Sequence, residues 1–188
     1  MLPVPLRLSA IALVLIACSG DAPDASLEAD GTGSASAGAT VIAAVDACSI
    51  VPAAELERIL GSAPAAAEPA QPIDAGGAAM RGCAWRTPDN AAGLSLQVRS
   101  GAQYRPDAAA FDRYADGMEE NMGSRPRVQS VTGLGSAALW DQTNHVLLVR
   151  AEQPGHELSV QPYLSARVPM VELEQARALA EAALGRLP

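Results

Sequence analysis

The sequence contains no lysine: all 13 cationic side chains among its 188 residues are arginines, set against 21 carboxylates. With the heavy Ala, Gly and Pro content, this reads as the coding bias of a GC-rich genome. The arginines are scattered and form no basic stripe, and a formal charge of −8 repels polyanions, so a nucleic-acid role is not expected. Aromatics are also scarce. Trp85, Trp140, Phe111, Tyr104, Tyr114 and Tyr163 are all there are, which leaves Ala, Val, Leu and Ile to build a core. There is no Cys-x-x-Cys, and His145 and His156 are the only histidines that could complete a zinc set. No Walker loop and no Gly-x-Ser-x-Gly elbow occurs. No apolar run reaches the roughly twenty residues that a bilayer-spanning helix needs.

What is present begins with a short, Arg7-bearing start and an apolar stretch of about ten residues, Leu8 to Ala17, the form of a secretory signal. It ends in Leu15-Ile16-Ala17-Cys18, which resembles the bacterial lipobox. The resemblance implies cleavage after residue 17 and a thioether-linked diacylglycerol on Cys18, with its freed amine acylated as well. Several acyl chains anchor stably where one does not. Residue 19 is Ser and not Asp, which by resemblance to bacterial sorting rules favours the outer membrane facing the periplasm; in a source without an outer membrane the anchor sits in the plasma membrane. Residues 18–40 are then a lipidated Cys and an Ala, Gly, Ser and Asp tether, too poor in large apolar groups to offset its own ordering entropy.

Residues 41–188 are expected to form one α+β domain, mainly antiparallel sheet packed with about three helices. Export places Cys48 and Cys83 in an oxidising compartment, where one disulfide between them is the economical reading; two buried thiols or half of a metal site are the alternatives. Pro52 to Leu60 reads as a helix with Leu56, Ile59 and Leu60 on one face and Gly61 as its stop. Residues 65–73 read as loop with a short edge strand at most. Gly82 to Thr87 and Leu94 to Ser100 read as strands around Pro88-Asp89-Asn90. Pro106 is expected to open a longer helix whose stripe Phe111, Tyr114, Ala115, Met118 and Met122 fills the core, with Asp112, Asp116, Glu119 and Glu120 as its solvated face. Val128 to Thr132 and Ala137 to Trp140 read as strands. His145 to Glu152 and Glu157 to Tyr163 read as a hairpin about Pro154-Gly155, with Leu147, Val149 and Ala151 sharing a face with Leu158 and Val160. Its register stays open, because Pro-Gly prefers a type II turn and two-residue hairpins prefer primed ones. Pro169 opens the last helix, with Leu173, Ala176, Ala180, Ala183, Leu184 and Leu187 on one stripe.

Two motifs invite chemistry and are read as structural. Gly133-x-Gly135-x-x-Ala138 fits a loose dinucleotide fingerprint, but that motif needs a helix directly after it, and a turn between strands is expected here. His156-Glu157 beside Pro154-Gly155 reads as an exposed turn, and His145 falls at the far end of the same hairpin.

The run Asp46-Ala47-Cys48-Ser49-Ile50-Val51, followed by Glu55-Leu56 and Leu60-Gly61, resembles the entry of a widespread group of bacterial lipoproteins of unknown function. Cys83-Ala84-Trp85 and the segment from Val131 to Ala138 match its later motifs. The resemblance covers about residues 46–165 and implies that the two cysteines pair, tying the first helix to the sheet. It departs at Pro52, where the usual Thr cap stands. The group also resembles extracellular sensor domains of bacterial receptors. The expectation is a membrane-anchored envelope lipoprotein with a non-catalytic domain, no cofactor and no metal, that binds an envelope protein or a small ligand. A structural or assembly accessory is the alternative and a cryptic hydrolase the least favoured, since triads assemble from distant residues.

Overall fold

The computed structural model describes residues 42–107, 109–163 and 171–188; the expected leader and tether, Cys18 and Pro169 lie outside them. The elements in the first half are α1 (Ala53–Leu60), β1 (Glu68–Pro69), β2 (Ile73–Ala75), β3 (Ala78–Arg86) and β4 (Gly93–Gly101). They are followed by α2 (Tyr114–Met122), β5 (Val128–Ser130), β6 (Ala137–Asp141), β7 (Val146–Arg150), β8 (His156–Pro162) and α3 (Leu173–Leu184). The architecture is α+β, with three helices and one eight-stranded antiparallel sheet in the order β1-β3-β4-β8-β7-β6-β5. The short β1 and β2 follow one another along the outer edge of β3. The β4–β8 pairing joins a hairpin from each half of the chain.

Period-2 alternation divides the long strands between two faces. Leu94, Leu96 and Val98 of β4, Leu147 and Val149 of β7, and Leu158 and Val160 of β8 share one face and are at most 1 % exposed. Trp85, Trp140, α1 and α3 complete that core. α1 buries Leu56, Ile59 and Leu60 and ends at Gly61, whose φ of +79° suits glycine. Pro52 is its N-cap and contributes no side-chain bond. α3 presents Ala176, Leu179, Ala180 and Ala183 to the core, and its small alanines let the helix axis approach the sheet. A disulfide joins Cys48 to Cys83, so the chain just before α1 is tied to the middle of β3.

The β7–β8 register pairs Leu147 with Val160 and Val149 with Leu158, the shared face expected. The connection is longer than a Pro-Gly turn: the Ala151 N–H donates to the His156 carbonyl, so residues 152–155 form a four-residue loop. The helix expected from Pro106 is much shorter, because residues 109–113 make successive turns and α2 starts only at Tyr114. The Asp107 carboxylate accepts from the Ala109 N–H at 2.9 Å, a local bond that competes with helix initiation. The core-filling stripe is corrected as well. Only Ala115 of α2 is buried, and Met122 is 63 % exposed.

Candidate functional site

The second face of the sheet carries the residues between the core positions: Gln97 and Arg99 on β4, Leu148 and Arg150 on β7, and Glu157, Ser159 and Gln161 on β8. α2 does not press onto this face. Its first turn is pinned where the Tyr114 hydroxyl donates to Asp141 Oδ2 at 3.0 Å, at the end of β6. Between helix and sheet lies a groove of about 620 Å³, within the size range of small-molecule sites. Phe111, Met118, Met122, Val146 and Leu148 line it, with Gln97, Arg99, Arg113 and Glu157 among its polar groups. The methionines expected in the core instead form the outer wall of this groove.

Glu157 is the electrostatic centre of this face. Its Oε1 accepts from Arg99 Nη1 at 2.6 Å, and its Oε2 forms an ion pair with Arg150 Nη2 at 2.8 Å. Register places both arginines directly opposite Glu157 on neighbouring strands, one on each side. The Arg150 guanidinium lies 5.1 Å from the Tyr104 ring centroid and 5.7 Å from that of Phe111, so aromatic faces replace part of its lost hydration. Its Nε is buried without a hydrogen-bond partner among the described residues.

Asp141 is fully buried and saturated. It accepts from the Thr143 and Asn144 N–H groups, from Asn144 Nδ2 and from Tyr114. Burial raises its carboxyl pKa, but these donors outweigh burial and hold it below the ordinary aspartate value. Burial first, and then the bond to Asp141, push the Tyr114 phenol far above its usual range.

His156 differs from expectation. His156 is not in an exposed turn: it is 2 % exposed, on the core face, and its Nδ1 is 3.1 Å from the hydroxyl of Ser100, which is 1 % exposed. Burial depresses its pKa. The pair is buried and joins β4 and β8 at directly opposed positions. His145 donates from Nδ1 to the Val171 carbonyl at 2.8 Å and meets Trp140 edge-on. The two histidines stay at opposite ends of the β7–β8 ladder. Gly133 and Gly135 make a positive-φ turn, and strand β6 follows where a dinucleotide site needs a helix. Asp112, Asp116, Glu119 and Glu120 are exposed, with Arg125 bridging Asp116 and Glu119. Among the described residues, no cluster of three His, Cys, Asp or Glu side chains could hold a metal ion, and no helix is long and apolar enough to cross a membrane.

Sequence reading missed the Arg99–Glu157–Arg150 triad, because Arg99 and Glu157 are 58 positions apart and meet only through the β4–β8 register. The one local signal was Arg99 closing the alternation Ser95, Gln97, Arg99 on a strand with an apolar opposite face. No family model, no curated protein and no solved structure matches this chain.

Proposed function

We propose that this protein is an envelope lipoprotein, attached to the membrane through acylated Cys18, whose domain is non-catalytic and binds a small ligand or partner in the groove between α2 and the sheet. The Leu15-Ile16-Ala17-Cys18 motif supports the anchor. The observation that carries the binding role is an apolar helix face, Met118 and Met122, held over a polar sheet face without closing onto it. Large apolar side chains left in water beside a concave, partly charged surface mark a recognition site more than a defect of packing. A sealed Ser100–His156 pair speaks against hydrolysis at that point.

Two measurements test this reading. Cys18→Ala should release the product from the membrane pellet or stall its processing, and unchanged fractionation with normal maturation overturns the anchor. Met118→Asp combined with Met122→Asp should fold, yet lose function in a deletion-complementation assay. Ile73→Asp, at another exposed apolar position, should retain function. Full function of the groove variant removes the groove from the account.

A further inference from the structure

The polar groups of the groove are unbalanced in a way that bears on what enters it. The anionic acceptors are used up. Both Glu157 oxygens are taken by arginines, and the Asp141 carboxylate has four donors. Donors are left over. Arg99 spends only Nη1 on Glu157 while its side chain stays 34 % exposed, and a guanidinium has five N–H groups to offer. Arg113 is exposed, lines the same groove and makes no ion pair among the described residues. Behind them Arg150 keeps a buried Nε without a partner. Two guanidiniums, Arg99 and Arg113, therefore line the groove with the single carboxylate of Glu157, which Arg150 already shares from behind, on a protein whose formal charge is −8.

We propose that the groove takes a small amphiphile with one anionic head, a carboxylate or similar oxyanion, seated on Arg99 and Arg113 with its apolar body along Met118, Met122 and Leu148. The inference rests on the groove reading above and adds the chemistry of the occupant. Guanidiniums match a planar oxyanion, and methionines adapt to a flexible chain. The acidic remainder of the surface disfavours polyanions and so selects a single charge.

The experiment uses the full-length protein in phosphatidylcholine nanodiscs, with methyl-labelled methionine, titrated with decanoate and with decan-1-ol; empty nanodiscs supply the partitioning blank. The Met118 and Met122 methyl resonances should shift saturably with decanoate, and decanol should bind at least tenfold more weakly. Arg113→Gln, which breaks no ion pair among the described residues, and Arg99→Gln should each weaken decanoate at least fivefold and leave decanol within twofold, with unchanged circular dichroism. Equal binding of the two probes, insensitive to both variants, overturns the anionic head while leaving the groove a binding site. No shift with either probe overturns the amphiphile; the groove itself is then judged by the complementation test, which depends on neither probe.

Discussion

The two faces of this sheet are made by the same strands, one residue out of step, and they follow opposite rules. On the first face Leu96, Val98, Leu147, Val149, Leu158 and Val160 are completely buried beneath two helices. On the second, Arg99, Glu157 and Arg150 form the neighbouring rung of the same ladders, beneath a helix that stands away from them. The first face gains free energy from every methylene removed from water. The second must compensate each charge it partly desolvates, and it does so with one carboxylate shared between two guanidiniums and with aromatic rings over Arg150. A sheet built this way packs one face as core and leaves the charged groups to the other.

That separation can be broken most severely from the first face. Trp85 is 2 % exposed, and Trp85→Ala should cost about 3–5 kcal/mol in denaturant unfolding through the cavity it leaves. A loss below 1 kcal/mol would mean that the first face is not where stability resides. Next is the staple between α1 and the sheet. Replacing Cys48 and Cys83 together by Ala should cost roughly 3–4 kcal/mol on the chain-entropy account of a closed loop of this length, read as a lowered denaturation midpoint relative to the oxidised protein.

The second face has one position that behaves like core. Glu157→Gln leaves Arg150 buried without its counter-charge and should cost about 3 kcal/mol, because an orphaned buried charge is worse than none. An equal loss for Arg99→Gln would show that Arg150 does not depend on Glu157 in this way, since Arg99 is the more exposed partner.

His156 sharpens the comparison through pH. Its folded pKa lies below the unfolded value near 6.5, so under acid conditions the unfolded chain binds more protons. Stability therefore falls as pH drops below about 6.5, by at most about 1.4 kcal/mol for each pH unit. His156→Gln should flatten that limb in unfolding curves taken between pH 7.5 and 5.5; an unchanged slope would assign it to other groups. The smallest effect belongs to the groove wall: Met122→Ala should change stability by less than about 0.5 kcal/mol, because its side chain is mostly in water already. Paired with Trp85→Ala, it measures how far apart the two faces are.

Local signals made most of the fold legible. Leu56, Ile59 and Leu60 before Gly61 specified α1, the alternation along Leu94, Leu96 and Val98 specified β4, and the two cysteines after Cys18 pointed to the staple now seen between Cys48 and Cys83. The site was far less legible. The stripe through Met118 and Met122 has the spacing of a core helix, and only the placement of α2 away from the sheet turns it outward. His156 has the neighbours of a turn residue, yet the four-residue loop ends just before it and the β4–β8 register buries it against Ser100.

The sequence by itself determined which segments alternate, which turn and which carry helical stripes, because those properties depend on residues within a few positions of one another. It therefore determined the α+β class and the core face. Only the tertiary structure decided what stands opposite what. The Arg99–Glu157–Arg150 triad, the Tyr114–Asp141 pin and the sealed Ser100–His156 pair join residues separated by 58, 27 and 56 positions for the first contact of each set. No local pattern encodes such contacts, because their geometry is set by strand register and by how far α2 stands from the sheet.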